Sequence, residues 1–265
     1  MPELPEVETI KLDLEKLILN KTITKTKVLL NKAFINPKKV DVHGKICNID
    51  RIGKYLIIDI ENQCSLIIHL RMTGKLTYDK KYGVDPEYCR VIMFLDAKDA
   101  LIFHDIRTLG MIEVVGYKKA KERLKKIGVD ALSKDFAIDY LIDICSKRKV
   151  NIKTLLLDQF AISGIGNIYA TEILFESKVS PLRVVNTLKP AEIKLIYQNI
   201  NKILTLAIKH NGTTVSDYRR VDDKTGDFQN FLKIYGKETC PVCKKELVKI
   251  KIGGRGTRYC SVCQK

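Results

Sequence analysis

The sequence lacks several features that would place the chain in a membrane or in the secretory pathway. It has no run of about 18 apolar residues, which is roughly the length that a helix needs to cross a bilayer. It also has no signal peptide, no internal repeat and no low-complexity tract. We therefore expect neither a membrane span nor secretion. At 265 residues the chain is long enough for two domains of ordinary size.

Acidic residues are in deficit. The chain has 31 Asp and Glu against 47 Lys and Arg, which gives a formal net charge of +16 and an isoelectric point near 9.4. Such a balance favours a polyanionic partner, and nucleic acid in particular. The alternative is that a lysine-rich composition reflects only a genome rich in A and T.

The cysteines form two groups. Two C-x2-C pairs near the end of the chain, Cys240 with Cys243 and Cys260 with Cys263, are separated by sixteen residues. This spacing is typical of a four-cysteine zinc ribbon with one hairpin between the pairs, and we expect a structural zinc ion. The alternative is a pair of disulfides. The other cysteines stand alone among apolar residues, as buried thiols do in a reducing cytosol: Cys47, Cys64, Cys89 and Cys145.

The pattern of apolar residues changes along the chain. It predicts a first helix over 5–20 and then strands over 22–30, 46–52, 55–60, 65–70, 90–95, 100–103 and 111–115, which we interpret as a β-sandwich. Further helices are predicted over 117–126, 139–147, 151–160, 167–177 and 191–210. The apolar stripe of the last helix is interpreted as core.

The first residues combine an imino acid with a carboxylate. If Met1 is removed, the chain begins with the secondary amine of Pro2, followed by Glu3. A terminal amine is less fully protonated at neutral pH than a lysine amine, and a secondary amine forms a cationic iminium with an aldehyde carbon. The alternative is that Pro5, Glu6 and their neighbours simply open a helix.

A glycine-bearing turn, Gly164-Ile165-Gly166, delivers Asn167 to the start of a predicted helix. The N–H groups at such a helix start, together with the asparagine amide, can bind a phosphate oxygen. The alternative is that Asn167 is only the residue that caps the helix.

Taken together, these motifs resemble the formamidopyrimidine-DNA glycosylase family over nearly the whole length of the chain. The resemblance rests on PELPEVET at 2–9, GKY at 53–55, HLRMTGK at 69–75, GIGNIYA at 164–170, GTT at 212–214, GDFQ at 226–229, YG at 235–236 and GRGT at 254–257. It implies an α+β fold with three parts. These are a β-sandwich catalytic domain at 1–130, a helical helix-two-turn-helix domain at 131–230 and a four-cysteine zinc finger at 231–265.

The resemblance also implies a catalytic set. Pro2 would attack the sugar C1′ of a damaged purine nucleotide and form a Schiff base. Glu3 would act as the acid or base that transfers protons at the sugar. Lys54 would supply charge near the sugar and its phosphate. Arg255 would hold the flanking phosphates and favour their departure in β,δ-elimination.

A second set of residues would contact DNA. Asn167, Lys153, Arg148 and Lys149 would fix the backbone register. The family also fills the gap left by an everted nucleotide with three side chains. Two of them are matched by Met72 and Arg107, and the third is usually phenylalanine where this chain has Leu109. Leucine can wedge between bases but cannot stack on them, which puts discrimination of the opposite base in question.

The resemblance implies an enzyme of bacterial base-excision repair, a cytoplasmic monomer that binds damaged double-stranded DNA. The segment 215–227 resembles the loop that covers the everted base; the alternative is an ordinary disordered loop. Two other functions stay open at this point. One is an endonuclease VIII-like glycosylase for oxidised pyrimidines, although Leu4 favours the purine branch. The other is a zinc protein that binds DNA without cleaving it.

Overall fold

The computed structural model describes residues 1–61, 63–80, 82–83, 85–96, 98–215 and 218–265. The chain divides into two compact units. The first contains residues 1–126 and 210–229, and the second contains 127–209 and 230–265. The three-part division at 130 and 230 stays a prediction, and the segment 210–229 groups with the start of the chain because its hydrogen-bond partners lie there.

Within the described residues, nine strands of the first unit form one hydrogen-bonded sheet. Their order is β2-β9-β5-β4-β3-β1-β7-β8-β6. Neighbouring strands are antiparallel, except that β2 is parallel to β9. The bounds are β1 Thr22–Val28, β2 Phe34–Ile35, β3 Gly44–Ile52, β4 Tyr55–Ile60, β5 Cys64–His69, β6 Gly74–Asp79, β7 Cys89–Leu95, β8 Asp99–Asp105 and β9 Met111–Gly116.

One hydrophobic core serves both halves of this sheet. Strands β3, β4, β5 and β9 on one side of β1 contribute side chains such as Ile58 and Leu66, and strands β7 and β8 on the other side contribute Met93 and Phe103. Because both halves bury their apolar faces in the same cluster, the sheet is folded into the sandwich that the sequence predicted.

Helix α1, Leu4–Ile18, covers one side of this core. Its buried residues Val7, Ile10 and Leu14 recur at helical spacing, so that one face of the helix packs on the strands. A capping box of Glu3 and Glu6 begins the helix, with Pro5 in the first turn. The entrance of α1 is therefore fixed by hydrogen bonds as well as by packing.

The second unit is helical and ends in a hairpin. Its helices are α3 Ile138–Ser146, α4 Ile152–Leu157, α5 Asn167–Glu176 and α6 Pro190–Lys209, and α2, Ala120–Arg123, precedes them in the first unit. Two short strands, β10 Val129–Asp130 and β11 Ile162–Ser163, pair in parallel. The hairpin consists of β12 Val248–Ile252 and β13 Arg255–Tyr259. None of the helices in the described ranges combines the length and the apolarity that a membrane span requires.

Most predicted elements are found with small shifts, and the expected fold class is confirmed. Strands β2 and β6 were not predicted from the sequence. The helix predicted over 117–126 is reduced to the four residues of α2, because Lys118 adopts a positive φ of 57° and no helix can run through it. The stripe of α6 is core, as expected, since Ile193, Ile196 and Ile200 are buried.

Candidate functional site

Pro2 and Glu3 lie at the entrance of α1. Both residues are buried, whereas Met1 is exposed. The backbone N–H of Glu3 donates to Oε2 of Glu6 at 2.7 Å, and the Glu3 side chain accepts a backbone N–H from the first turn. The residue after the amine that removal of Met1 would expose is thus held in place by hydrogen bonds, and Pro2 itself is buried.

Glu6 is a residue whose importance the sequence did not reveal. Its Oε1 accepts the backbone N–H of Thr213 at 2.8 Å. Gly212, just before, has a positive φ of 78°, and a Cβ added there would lie 2.9 Å from Cγ and Oε1 of Glu6. Only glycine fits this approach without displacing the carboxylate. The sequence placed Glu6 at the start of a helix, but it did not reveal a partner 207 residues away.

Lys54 lies in the tight turn between β3 and β4 and is only 5% exposed, so it is not the solvated lysine that a surface turn would suggest. The positive charge of Lys54 acts on the buried ring of His69. Burial, followed by the positive charges of Arg71 and Lys54, lowers the pKa of His69 to about 3. The backbone N–H of Arg71 donates to Nδ1 of His69 at 3.0 Å, which fits a neutral ring with its proton on Nε2. His69 is therefore neutral near pH 7, and it holds the backbone of Arg71 without adding charge to this turn.

The three candidate wedge residues lie on two turns that share one buried carboxylate. Met72 is half-buried, and Arg107 and Leu109 are exposed. Asp105, which is fully buried, accepts the hydroxyl of Thr73 at 2.5 Å and the backbone N–H of Leu109 at 2.7 Å. It also accepts the N–H groups of Gly110 at 2.6 Å and of Arg107 at 3.2 Å. Asp105 is a second residue that sequence reasoning missed, although an aspartate just before a turn is a common organiser of backbone N–H groups.

In the second unit, Asn167 is the first residue of α5, and Gly166 occupies the capping position. The interpretation of Asn167 as a cap is therefore wrong. Its Nδ2 donates to the carbonyl of Gly256 at 3.0 Å. Its Oδ1 is buried and has no hydrogen-bond partner in the part of the chain that the structure describes, and the same holds for Oγ of Ser163 in the preceding strand β11.

The three basic candidate residues near α4 differ in burial and in their hydrogen-bond partners. Lys153 is fully buried, and its Nζ donates to the carbonyl of Asn167 at 3.3 Å and to the hydroxyl of Thr171. Arg148 pairs with Asp158 at 2.5 Å. Lys149 is exposed. The Lys149 side chain is therefore accessible to a phosphate. The Lys153 side chain is enclosed by the protein and hydrogen-bonds to Asn167 and Thr171 of α5.

Arg255 begins β13, immediately after the turn at Gly253 and Gly254, and is exposed. Both glycines have positive φ, 54° and 76°, which is the backbone that a two-residue hairpin turn requires. The turn therefore presents the guanidinium at the end of the hairpin.

The four cysteines of the two pairs converge. Their sulfur atoms all lie within 4.8 Å of one another, with Cys240 to Cys263 at 3.8 Å and Cys243 to Cys260 at 3.4 Å. Sulfurs at about 2.3 Å from one tetrahedral zinc ion would be about 3.8 Å apart, so the donor set fits zinc. The cysteines occupy all four positions of that geometry. Zinc is therefore structural here, as the spacing predicted, and disulfides are not formed.

A buried carboxylate on α5 holds the segment that leads into the cysteine ribbon. Glu172 accepts backbone N–H groups from Lys233 at 2.9 Å, Ile234 at 3.0 Å and Tyr235 at 2.7 Å. Burial raises the pKa of Glu172, while these three N–H groups oppose the rise. Nothing in the sequence marked this residue, because its partners lie 61 to 63 positions away.

Family models match the chain in three consecutive regions. Residues 1–112 match the formamidopyrimidine-DNA glycosylase N-terminal domain, and residues 127–219 match the formamidopyrimidine-DNA glycosylase H2TH domain. Residues 237–265 match a zinc finger found in this glycosylase and in isoleucyl-tRNA synthetase. These regions contain every predicted site residue.

Relatives match over the full length. A formamidopyrimidine-DNA glycosylase of Carboxydothermus hydrogenoformans is 40% identical, with all of both chains covered, and one of Pelotomaculum thermopropionicum is 38% identical, with 100% of this chain and 99% of the relative covered. A crystal structure of a Lactococcus lactis mutant enzyme with DNA containing Fapy-dG superimposes with a TM-score of 0.92 at 35% identity and covers 100% of both chains.

A second structure of the Lactococcus lactis enzyme contains DNA with an abasic site. It superimposes with a TM-score of 0.91 at 35% identity and covers 99% of both chains. The motifs, the zinc ribbon, the fold and the full-length relatives agree, and the chain belongs to the formamidopyrimidine-DNA glycosylase family.

Proposed function

We propose that this chain is a bifunctional DNA glycosylase and abasic-site lyase that removes oxidised purines, such as 8-oxoguanine and formamidopyrimidines, from duplex DNA. The observation that carries the proposal is the arrangement at the entrance of α1, where a buried Pro2 is followed by the buried, hydrogen-bonded Glu3 in a member of this family. The substrates in the related crystal structures, Fapy-dG and an abasic site, support it.

In the first step, the nitrogen of Pro2 attacks C1′ of the damaged nucleotide. A bond forms between nitrogen and C1′, and the bond from C1′ to the base breaks, so that the base leaves with the electron pair and takes up a proton. Opening of the sugar ring passes a proton to O4′ and leaves a cationic iminium on Pro2. Glu3, the residue next to this amine in the chain, would exchange protons with the sugar.

The iminium then draws electrons from the sugar. Loss of a proton from C2′ expels the 3′ phosphate, and a second elimination expels the 5′ phosphate. Lys54 would supply positive charge near the attacked sugar, since it is buried and held in a tight turn. Arg255 would stabilise the departing phosphates, and Lys149 and Asn167 would bind the DNA backbone.

The two turns that hydrogen-bond to Asp105 carry side chains that can hold the duplex open. Met72 and Leu109 are apolar side chains of wedge-like size, and Arg107 carries donors for the base left unpaired. The segment 215–227 would cover the everted base, although residues 216 and 217 of that segment lie outside the described residues. The zinc ion shapes the hairpin that carries Arg255 and takes no part in the reaction.

A specific observation favours a second substrate class. One crystal structure of the Lactococcus lactis enzyme, with a TM-score of 0.91 at 35% identity, contains DNA with an oxidised pyrimidine. We therefore propose that this chain also accepts some oxidised pyrimidines. The relatives are bacterial enzymes, and we place this one in the bacterial cytoplasm, acting as a monomer on chromosomal DNA.

Borohydride trapping tests the proposal. Duplexes that carry 8-oxoguanine, thymine glycol or no lesion are incubated with the enzyme and reduced, and the adduct is located by mass spectrometry of the trapped peptide. We expect adducts at Pro2, formed fastest with 8-oxoguanine, and little adduct with Pro2→Gly. An enzyme that binds the duplexes but forms no adduct would be the non-catalytic alternative, and faster trapping with thymine glycol would assign it to the pyrimidine branch.

A further inference from the structure

One face of α1 holds a segment from far along the chain. Three side chains of this face, Glu6, Thr9 and Asp13, are spaced by three and four residues, so they project from the same side of the helix. Glu6 accepts the backbone N–H of Thr213 at 2.8 Å. The Thr9 side chain hydrogen-bonds to the phenol of Tyr218, which is buried. The helix that follows the candidate nucleophile therefore holds part of the loop proposed to cover the everted base.

Asp13 and Arg220 form the third contact of this face. Nε of Arg220 donates to Oδ2 of Asp13 at 3.0 Å, and Nη2 donates to Oδ1 at 2.8 Å. The side chains of Asp13 and Arg220 are only 12% and 23% exposed. Fully exposed ion pairs contribute little, but a half-buried pair with two parallel hydrogen bonds fixes the guanidinium in one orientation.

The same segment also pairs with strand β6. The carbonyl of Val221 accepts the backbone N–H of Tyr78 at 3.2 Å, and Nζ of Lys75 lies 3.1 Å from Oδ1 of Asp223. The side chain of Val221 is buried in the core of the first unit. Residues 218–221 are thus held by two elements, with α1 binding Arg220 and β6 binding the backbone of the next residue.

We propose that Asp13 and Arg220 are positioning residues for excision of the base. Their ion pair fixes residues 218–221 against α1, so that the covering loop has one set position relative to the candidate nucleophile at the start of that helix. Neither side chain touches the substrate in this role. The inference rests on the proposed function, in which the segment 215–227 covers the everted base.

The two reactions of the proposed enzyme separate this role from a purely structural one. Removal of 8-oxoguanine requires the everted base to be held while Pro2 attacks, whereas nicking of a preformed abasic site involves no base. A loop that is poorly positioned should therefore slow the first reaction and leave the second unchanged. A general loss of folding should slow both.

Asp13 separates the role from a direct contact of Arg220 with DNA. A carboxylate repels phosphates, so if Arg220 merely binds DNA, neutralising Asp13 should not slow excision. If the pair positions the loop, Asp13→Asn and Arg220→Gln should have the same effect. The double variant should then be no slower than either single variant, because the two residues form one contact.

The experiment measures single-turnover rates on two duplexes, one with 8-oxoguanine opposite cytosine and one with a preformed abasic site. The proteins are the wild type, Asp13→Asn, Arg220→Gln and the double variant. Arg220→Lys keeps the charge but not the two parallel hydrogen bonds. Arg183→Gln is the matched control, because the half-buried Arg183 of the second unit donates from Nη1 and Nη2 to the two carboxylate oxygens of Glu192 at 3.0 and 3.2 Å.

We expect Asp13→Asn and Arg220→Gln each to slow excision of 8-oxoguanine about tenfold, with nicking of the abasic site within about twofold of the wild type. Arg220→Lys should be slowed less, and the double variant should be as slow as one single variant. Deuterium exchange of the Tyr78 amide should be faster in Asp13→Asn and Arg220→Gln, because its acceptor is the Val221 carbonyl. Arg183→Gln should match the wild type in every measurement.

Equal slowing of both reactions would overturn the proposal and make the pair a folding contact. Unchanged excision in Asp13→Asn, unchanged exchange of the Tyr78 amide, or additive losses in the double variant would also overturn it. Borohydride trapping of the wild type on 8-oxoguanine DNA is run in parallel. If the wild type forms no adduct, the proposed function fails. If the wild type and the Asp13 and Arg220 variants excise the base equally fast, only the positioning role fails.

Discussion

The Glu6 carboxylate joins the backbone of Glu3 to that of Thr213. One oxygen accepts the Glu3 N–H at 2.7 Å and the other accepts the Thr213 N–H at 2.8 Å. A single buried side chain thus fixes the position of the candidate nucleophile and the start of the segment 213–229, which contains the loop proposed to cover the everted base. The relationship makes Glu6 a test of how the site is held together.

Replacement Glu6→Gln should weaken both connections. The amide of glutamine offers only one acceptor oxygen and turns an N–H group towards a backbone donor, which leaves a buried N–H unpaired at a cost of about 1–3 kcal/mol. We expect a lower free energy of unfolding in urea and slower borohydride trapping. Glu15→Gln on the same helix is the control, since Glu15 is half-buried and pairs with Lys11 at 3.2 Å. Equal stability of the two variants would contradict the role given to Glu6.

Replacement Gly212→Ala should destabilise the protein more than Gly236→Ala. Both glycines have nearly the same positive φ, 78° and 76°, so alanine costs about 1–2 kcal/mol in backbone strain at either position. Only at Gly212 does the new Cβ approach Glu6, at 2.9 Å, while at Gly236 nothing lies within 4 Å. Thermal melting of the two variants measures the difference. If Gly236→Ala melts at or below the temperature of Gly212→Ala, the Glu6 approach is not the cause.

Acid should destabilise the folded state through His69. Its pKa is lowered to about 3 from an ordinary value of 6.5, so the unfolded chain binds a proton in the interval between these values while the folded protein does not. The contribution of His69 to stability is therefore complete above about pH 6.5 and declines by about 1.4 kcal/mol for each pH unit below it. The free energy of unfolding of His69→Asn should fall less steeply between pH 6 and pH 4. Parallel curves for the two proteins would show that the ring protonates in the folded state.

Removal of zinc should weaken DNA binding by loosening the hairpin that carries Arg255. Cys243→Ser removes one of four sulfurs that lie within 4.8 Å of one another, and we expect loss of bound zinc and at least tenfold weaker binding to an abasic-analogue duplex. Cys47→Ser is the control, since its hydroxyl can keep the hydrogen bond that Sγ donates to the Asp59 carbonyl. Unchanged affinity of the metal-free Cys243→Ser protein would show that the ribbon does not position Arg255.

Patterns of neighbouring residues were sufficient to predict the features that depend on short stretches of the chain. The spacing of Cys240, Cys243, Cys260 and Cys263 predicted a metal site because each pair presents two thiolates from one tight turn. The apolar periodicity of α1 and α6 predicted their buried faces, and the positive φ of Asn211 and Gly212 agrees with the predicted end of α6.

What the sequence could not supply were contacts between distant positions. The buried carboxylates of Glu6, Asp105 and Glu172 each organise backbone N–H groups. Other carboxylates, such as those of Glu61 and Asp135, are exposed, and the sequence alone does not separate the two kinds. Strand β6 was also not predicted, since the half-buried polar residues Lys75 and Thr77 occupy alternate positions in it and its pairing with β8 forms only in the folded sheet. The burial of Lys153, which stays a predicted contact of the DNA backbone, was likewise not visible in the sequence.

The return of residues 210–229 to the first unit limits how the protein can be dissected. The chain leaves that unit at residue 126, comes back at 210 and departs again after 229. A fragment truncated near 126 would lack Thr213, Tyr218 and Val221, the last two of which belong to its core. A fragment that ends near residue 126 should therefore fold incompletely, and an autonomous amino-terminal module would also need residues 210–229, joined to it through a linker.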